Sequence, residues 1–469
     1  MTLEGERKLH RAAIGVYVLK AVRDAAFPLL IIVFISAFGG GLDAQGVLRG
    51  AIYGAIGVTI AAVSGWWRWD NTRWWVTADG IHRKSGVINT KQTDVPFARV
   101  QALDLEQGLV QRWFGVHSVH VQTGGGGADG EIVLEAISHQ DLDALRALVA
   151  TPAPPEETEL PARKLSRADL LLAALTAGQI GVLLPLLAGA AQLLQNVAGN
   201  DAERDAERLI PHGAGGWILA AAVLVAAAWL LSVLGSLVAF AGFEVRRDGD
   251  RLRIRRGLLE QRETTVPVAR VRAVVVVEGP LRRPFRLAAL RMEVIGHAKE
   301  PNAAQALFPL LRRAEVRPFL DALLPELADD LDGLAPLPRR ALRRYVLPPA
   351  LAGLVIGAAA WPLIGPWGLL AALPAAVWGT LAYRAAGWRL QGGHLAARRL
   401  GFARTTVLAR AADGESHTLA QNVLQRRADL ADLEVAFGKR TTARVHHLDA
   451  ALAREAFGRL TAGPSATAP

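Results

Sequence analysis

The residues of this sequence most suited to binding are its clustered basic side chains, which can bind anionic groups. Guanidinium and ammonium groups close to a membrane attract anionic lipid headgroups, at about 1 kcal/mol for each basic residue. The candidates for contact with such lipids or with a partner protein are Arg83, Lys84, Arg99, Arg112, Arg255, Arg256, Arg270, Arg282 and Arg283. The sequence leaves open a simpler interpretation, in which these charges only keep a solvated surface soluble and orient the chain in a membrane.

Other patterns argue against catalytic, cofactor and metal sites. On a strand, His117 and His120 point to opposite faces, so the two imidazoles do not readily meet at one ion. Gly438 and Lys439 are followed by Arg440, where a phosphate-binding loop requires serine or threonine. The chain has no cysteine, which excludes thiolate metal sites and cysteine nucleophiles. We therefore expect no enzyme activity, no cofactor and no metal.

The net charge of +10 does not by itself indicate a nucleic-acid partner. The basic residues cluster beside long apolar runs, and no element known to recognise bases is evident in the sequence. We expect the chain to bind no nucleic acid, and we expect its basic residues to act next to a lipid bilayer.

The elements that position these residues are repeated. Residues 95–103 recur as residues 266–274, with six of nine residues identical. The correspondence extends without gaps, because Gly86 matches Gly257 and Phe114 matches Phe285 at the same offset. A match of this length indicates a chain built from repeated modules rather than around a single active site.

Apolar runs separate the modules. The segments without a charged residue are residues 25–42, 50–67, 170–194, 213–243 and 345–383. A membrane-spanning helix needs about 20 mainly apolar residues. The fifth segment is too long for one span and is broken by a turn signal at residues 361–366, so we predict six spans in three hairpins. The alternative is six buried helices of a soluble enzyme.

Charge asymmetry predicts the orientation of these hairpins. Lys and Arg are frequent before the first, third and fifth runs, whereas the connector at residues 195–212 carries several acidic residues. Short loops rich in Lys and Arg stay in the cytoplasm. We expect both termini and all three soluble regions to be cytoplasmic, and we expect no cleavable signal peptide. Gln179 and Gln192 lie within a run, where they could pair across helices or line a pore.

Each soluble stretch has the same design. Short alternating strands with glycine-rich turns are followed by a closing helix, predicted over residues 138–149, 310–327 and 447–460. The first of these helices opens with a capping box formed by Ser138 and Asp141. A β-rich unit of about 80 residues closed by one helix, repeated three times, is an α+β module.

The order of motifs in the first module resembles a known family. Asp79-Gly80, residues 83–86, residues 95–101 and residues 111–115 are similar to the pattern of the bacterial pleckstrin-homology-like (PH-like) domain, type two. Three such domains alternating with paired spans resemble the larger of two neighbouring bacterial membrane proteins. The resemblance implies split β-barrels that are each closed by a C-terminal helix, and a smaller PH-like-domain membrane protein as partner. The third repeat matches only at residues 425–427, so we expect it to be degenerate.

These observations define the expected domains. They are a cytoplasmic segment at 1–24, hairpin 1 at 25–67, PH-like domain 1 at 68–150, a linker at 151–168, hairpin 2 at 169–242, PH-like domain 2 at 243–327, a basic linker at 328–344, hairpin 3 at 345–383, PH-like domain 3 at 384–460 and a disordered tail at 461–469.

The expected function is that of a scaffold. We expect a non-enzymatic, multi-pass protein of the bacterial cytoplasmic (inner) membrane, whose PH-like domains bind a partner membrane protein or anionic lipid headgroups. Transport or lipid handling by the hairpins is the alternative function that the sequence leaves open.

Overall fold

The computed structural model describes residues 5–20, 44–86, 90–123, 132–149, 162–176, 213–295, 306–438 and 440–461. The predicted apolar run at 25–42, most of the run at 170–194 and the predicted tail after Thr461 lie outside these residues. The chain divides into two compact units. The first comprises Met1–Glu157, Leu170–Glu244 and Ile254–Thr265, and the second comprises Thr158–Asp169, Val245–Arg253 and Val266–Pro469.

The first module forms two antiparallel sheets around one core. Its elements are β1 (Arg7–Lys8), α1 (Ala44–Asp70), β2 (Arg73–Val76), β3 (Gly80–Ser85), β4 (Lys91–Pro96), β5 (Val100–Gln107), α2 (Leu109–Trp113), β6 (Val116–Thr123), β7 (Ile132–Ser138) and α3 (His139–Val149). Strands β1 to β4 pair in sequence order, and β6 pairs with both β5 and β7. Inward-facing residues such as Trp74, Ile81 and Leu134 alternate with polar ones along the strands and fill the core.

The second module follows the longest described helix. After β8 (Arg163–Lys164) and α4 (Arg167–Leu175), the elements are α5 (Gly213–Phe240), β9 (Glu244–Asp248), β10 (Arg251–Arg256), β11 (Gln261–Pro267), β12 (Val271–Glu278), β13 (Leu287–Val294), β14 (Ala306–Arg312) and α6 (Val316–Leu323). Residues of β10 and β11 belong partly to each compact unit.

The third module completes the second unit. Its elements are β15 (Ala335–Pro336), α7 (Leu342–Ala359), α8 (Trp361–Ile364), α9 (Ala372–Ala385), β16 (Gly387–Gln391), β17 (His394–Leu400), β18 (Arg404–Arg410), β19 (Ser416–Ala420), α10 (Val423–Arg426), β20 (Leu430–Ala436), β21 (Thr442–Asp449) and α11 (Ala450–Thr461). One sheet has the strand order β14-β13-β12-β18-β17-β16-β15, and a second has the order β19-β20-β21. Leu433, Phe437 and Leu448 lie in the core beneath α11.

Backbone geometry shows that all three modules are repeats. After α2, after the loop that follows β12, and after α10, one residue has a left-handed backbone: Gly115 (φ 64°), Arg286 (φ 53°) and Asp429 (φ 49°). A non-glycine residue rarely adopts this conformation, so its recurrence at equivalent places marks a shared turn. The prediction of three repeated α+β modules is confirmed, and the third module has a full set of strands despite its weak sequence match.

Two closing helices begin later than the sequence predicted. Residues 310–312 belong to β14, where Leu311 and Arg312 pair with Ala288 and Leu287, and helix α6 starts only at Val316. In the third module, β21 extends to Asp449, which pairs with Leu430. Cross-strand pairing therefore overrides the local helical pattern at both places.

Neighbouring modules pair through strands at an equivalent register. In the first unit β5 pairs with β11, with Gln107 opposite Gln261. In the second unit β12 pairs with β18, with Glu278 opposite Arg404. Gln107 and Glu278 hold the same place in the sequence repeat. The junction between modules is therefore part of the repeated design.

Among the residues that the structure describes, no helix has both the length and the hydropathy that crossing a membrane requires. The predicted break at residues 361–366 is present, as α8 and the 3₁₀ turn Gly365–Ala371 between α7 and α9. Helices α7 and α9 run antiparallel, because Gly353 lies against Ala371 while Gly379 lies against Tyr345.

Glycine at these crossings lets the helix backbones touch. A Cβ added at Gly379 would meet the carbonyl oxygen of Tyr345, so we expect Gly379→Ala to destabilise the α7–α9 hairpin by about 1–3 kcal/mol. Gly458→Ala in α11, where a Cβ meets no atom within 4 Å, should instead stabilise by up to about 1 kcal/mol. Thermal unfolding of the full chain in detergent measures both variants. Equal unfolding temperatures would contradict the close packing.

A half-buried acid at the β5–β11 pairing makes stability depend on pH. Glu106 lies 2.9 Å from Arg262 and 3.4 Å from His120. Burial alone would raise the pKa of Glu106, but contact with His120 and the charges of His120 and Arg262 outweigh burial and lower the pKa to about 2. The ionised form therefore contributes stability above the ordinary pKa of 4.5, and this contribution is lost as the pH falls from 4.5 towards 2.

We expect Glu106→Gln to reduce the free energy of unfolding at pH 7 by on the order of 3 kcal/mol, and we expect the difference from the unmodified protein to shrink as the pH falls below 4.5. Glu260→Gln is the matched control, because Glu260 also pairs with Arg262 but its side chain is 42% exposed. Denaturant titrations at a series of pH values measure the effect. A difference that stays constant from pH 7 to pH 3 would refute this assignment.

Candidate functional site

The second unit contains a cavity of about 940 Å³ whose wall is rich in arginine. Its lining residues are Pro280, Arg283, Pro284, Arg286, Arg313, Ala314, Asp332, Arg398 and Arg404. The loop after β12 supplies residues 280–286, the end of β14 is followed by Arg313, and β17 and β18 supply Arg398 and Arg404. The pairing of β12 with β18 brings these segments together. We call this site the arginine cavity.

A buried carboxylate holds two of the arginines in place. Glu278 has no exposed surface, and its carboxylate accepts hydrogen bonds from Arg404 Nε at 2.6 Å and from Arg313 Nη1 at 3.0 Å. Arg404 Nη2 donates to the other oxygen of the same carboxylate. A buried charge is tolerated only when it is paired and hydrogen-bonded, so Glu278 fixes both guanidinium groups at the cavity wall.

The field in the arginine cavity is positive. Burial, and then the charges of Arg404 and Arg313, lower the pKa of Arg398. The hydrogen bond from Arg313, at 2.7 Å, and the charges of Arg313, Arg398 and Arg404 lower the pKa of Asp332. Both shifts have the direction expected where positive charges outnumber negative ones.

Two arginines of the cavity are available to a ligand. Arg398 is already bonded to backbone carbonyls, through Nε to Ala385 at 2.9 Å and through Nη1 to Leu331 at 3.1 Å. In contrast, the guanidinium groups of Arg283 and Arg286 have no hydrogen bond or ion pair among the described residues. Among the described residues, the five arginines of the lining are set against the carboxylates of Glu278 and Asp332. Guanidinium groups bind phosphate and carboxylate oxygens bidentately and stay protonated, so the arrangement can bind an anion.

An equivalent cavity in the first unit has different chemistry. It has a volume of about 220 Å³ and is lined by Leu105, Gln107, His117, His139, Leu142, Arg255, Gln261, Arg262 and Glu263. Gln107 and Gln261 stand where the second unit has Glu278 and Arg404. This neutral pair needs no counter-charge. The arginine cluster therefore belongs to the junction at which β12 pairs with β18.

The structure separates the residues that the sequence proposed for contact. Arg283 lines the arginine cavity and Arg255 lines the smaller one. Arg256 and Arg282 are buried, at 6% and 8% exposed. Arg282 donates to the carbonyl oxygen of Pro309 at 3.3 Å, and burial, followed by the charge of Arg291, lowers its pKa to about 10. These two side chains are therefore built into the modules.

The remaining candidates line neither cavity. Lys84 and Arg99 are exposed, and Arg83 and Arg270 are half-buried. Arg112 is exposed and donates to the carbonyl oxygen of Leu258 at 3.0 Å.

Sequence reasoning missed most of the arginine cavity. Arg286, Arg313, Arg398 and Arg404 were not among the candidates, because only strand pairing between two modules brings them together. One signal was present in the sequence. Arg286 stands where the first module has Gly115, and an arginine in place of a turn glycine indicates a requirement for the side chain.

The two histidines considered for a metal contact different groups. The ring of His117 lies 5.6 Å from that of His139, whereas His120 lies beside Glu106. As expected from their spacing on β6, they do not share one ligand site.

Comparison with known proteins identifies three matching stretches. The bacterial PH domain family matches residues 16–179, 182–327 and 342–462. The UPF0699 transmembrane protein YdbT of Bacillus subtilis (strain 168) is 26% identical over 368 residues, which cover 73% of this chain and 74% of that protein. No solved structure matches the chain. The third match includes the module that the sequence predicted to be degenerate.

The pairing of Glu278 with Arg313 and Arg404 can be tested by removing one arginine. Arg404→Met leaves the buried carboxylate with one partner, so we expect the free energy of unfolding to fall by on the order of 3 kcal/mol. A second change, Glu278→Leu in the same chain, should recover part of the loss because it removes the unpaired charge. Arg283→Ser, which breaks no bond among the described residues, should change stability by less than about 0.5 kcal/mol. If denaturant unfolding shows the same loss of unfolding free energy for Arg404→Met and Arg283→Ser, the pairing of Glu278 with Arg404 does not stabilise the fold.

Proposed function

The chain belongs to the bacterial PH domain family, and on that premise we propose that it is a non-enzymatic membrane protein that binds anionic lipid headgroups in the arginine cavity. The observation that carries this proposal is the surplus of guanidinium groups, two of which have no partner among the described residues. The cavity volume of about 940 Å³ falls within the usual range for small-ligand sites.

Several features support attachment to a membrane. The sequence has five charge-free runs, and the relative from Bacillus subtilis is named as a transmembrane protein. In helix α5, Leu230, Leu231 and Leu234 are all exposed, which is unfavourable in water and favourable in contact with lipid. The antiparallel α7–α9 pair supports the hairpin arrangement, because its glycines allow the close helix contact typical of membrane proteins.

We further propose the orientation that charge indicates. The protein would cross the bacterial inner membrane six times, with both termini and the three PH-like modules on the cytoplasmic side. The segments rich in Lys and Arg before the first, third and fifth runs support this orientation. The modules would then lie beside the anionic inner leaflet, where a positive cavity has its ligand nearby.

The proposed role is that of a scaffold. Three tethered modules in one chain present several binding surfaces to the membrane and to a second protein. The resemblance noted in the sequence supports a smaller PH-like-domain membrane protein as that partner. Transport along the hairpins has less support, since the charge-free runs offer no Asp, Glu, Lys, Arg or His for a transport path.

Short-chain lipids test the proposal on the full chain in phosphatidylcholine nanodiscs. We expect short-chain phosphatidic acid to bind more tightly than short-chain phosphatidylcholine. The double variant Arg283→Ser/Arg286→Ser should weaken this binding by about tenfold or more, because each basic residue contributes about 1 kcal/mol. Calorimetric titration measures the affinities. Arg427→Ser, which removes an exposed arginine outside the cavity lining, is the matched control and should change affinity by less than about twofold.

Three further results would discriminate the alternatives. Inorganic phosphate that binds as tightly as phosphatidic acid would make the ligand a free anion rather than a headgroup. Equal binding by the double variant and the control would show that the cavity is not the site. Capture of a smaller membrane protein without any anion binding would assign the modules to protein assembly alone.

A further inference from the structure

The loop that follows β5 exposes a concentrated group of large apolar residues. Trp113 is 88% exposed, and Leu109 and Phe114 are also exposed. The turn between β10 and β11 adds exposed Leu258 and Leu259 in the same unit. We call Leu109, Trp113, Phe114, Leu258 and Leu259 together the first apolar tip.

In the first apolar tip, a polar side chain is buried and the apolar side chains are exposed, which is the reverse of a solvated surface. In helix α2 the buried side chain is Gln111, which accepts a hydrogen bond from the Gly108 amide at 2.5 Å and donates to the carbonyl of Glu135 at 3.0 Å. The aromatic residues of the same segment point outward. A surface helix in water places its apolar residues inward and its polar residues outward. The reverse order indicates that the outer face meets an apolar environment.

The first apolar tip is hydrogen-bonded to the end of a charge-free helix. The amide of Leu258 donates to the carbonyl of Val238 at 2.9 Å, and the amide of Gly257 donates to the carbonyl of Ala241 at 2.8 Å. Arg112 then joins α2 to this turn through the carbonyl of Leu258. The turn that carries Leu258 and Leu259 is therefore attached to the C-terminal end of α5.

The second unit repeats this arrangement. In the loop after β12 Phe285 is 68% exposed, and in the turn between β17 and β18 Phe402 is 62% exposed. These two segments flank the pair formed by Glu278 and Arg404, just as Leu258–Leu259 and α2 flank Gln107 and Gln261.

The third module also has a buried glutamine beside exposed apolar residues, and this segment is also hydrogen-bonded to a long apolar helix. Gln425 is buried, and its side-chain oxygen accepts a hydrogen bond from the Asn422 amide at 2.8 Å, whereas Val423 and Leu424 are exposed. Arg344, in the first turn of α7, donates to the carbonyl of Leu424 at 2.7 Å. Here too the apolar tip is attached to a helix of a predicted membrane hairpin.

We propose that these apolar tips insert into the interfacial layer of the lipid bilayer. Tryptophan and phenylalanine at the end of an apolar helix suit the headgroup level, and the arginines beside them, Arg112, Arg283 and Arg286, suit anionic lipid. Attachment of the first apolar tip to the end of the charge-free helix α5 favours lipid over a protein partner as the occupant. The inference rests on the proposed membrane function and adds the surface through which each module meets the bilayer.

A single introduced cysteine can report this contact, because the chain has no cysteine of its own. Trp113→Cys, labelled with bimane in full-length protein, is placed in nanodiscs of phosphatidylcholine and phosphatidylglycerol that contain lipid with a nitroxide near the top of the acyl chain. Ala78→Cys is the control, because Ala78 is exposed in the turn at the end of β2 farther from α1. We expect the label at 113 to be quenched at least threefold more than the label at 78.

Phe285→Cys provides a second, independent probe in the other unit and should behave like Trp113→Cys. Equal quenching at 113, 285 and 78, or none at any of them, would overturn the inference. If the protein stays in the membrane and binds phosphatidic acid while the tips remain unquenched, only the insertion is wrong. If the tips are quenched but Arg283→Ser/Arg286→Ser binds headgroups normally, only the cavity proposal is wrong.

Discussion

The buried carboxylate of Glu278 is the constraint from which the described site follows. Because it has no exposed surface, its charge must be matched within the protein, and Arg313 and Arg404 provide the match. Arg404 opens β18, which pairs with β12 directly opposite Glu278. The ion pair and the strand register therefore specify each other. Once both are set, the loop at residues 280–286 and the end of β17 are placed around one cavity.

The first junction shows what changes when that charge is absent. The equivalent positions are Gln107, which donates to the carbonyl of Val116 at 3.3 Å, and Gln261, which accepts a hydrogen bond from Arg255 at 3.2 Å. The charged group moves one residue back, to Glu106, and meets Arg262 and His120. The cavity beside it is small and mixed in charge. The same backbone register thus supports two chemistries, and a repeat in sequence does not imply a repeated ligand.

The sequence was sufficient for the modules but not for the site. The match of residues 95–103 with 266–274, the closing helices and the break at residues 361–366 are local patterns, and each has its counterpart in the structure. The arginine cavity depends on Glu278, Arg313 and Arg404, which are far apart in the chain and meet through pairing between modules. Strands β16 to β20 follow the same spacing as β9 to β13, but the residues differ, since Arg404 stands where the second module has Gln261. Arg282 looked like a surface residue because the buried role of its equivalent, Gln111, is visible only in three dimensions.

Phe285 and four residues that line the arginine cavity belong to one loop, which links the two proposals physically. Phe285 lies between Pro284 and Arg286, and both of these neighbours line the cavity. In the proposed arrangement, a phenyl ring inserted at the interface would hold the cavity wall close to the lipid phosphates. Arg286 adopts a left-handed backbone at this point, which turns the chain sharply between the exposed ring and β13. Insertion and headgroup binding thus require the same orientation of this loop, so each interaction lowers the entropy that the other must lose.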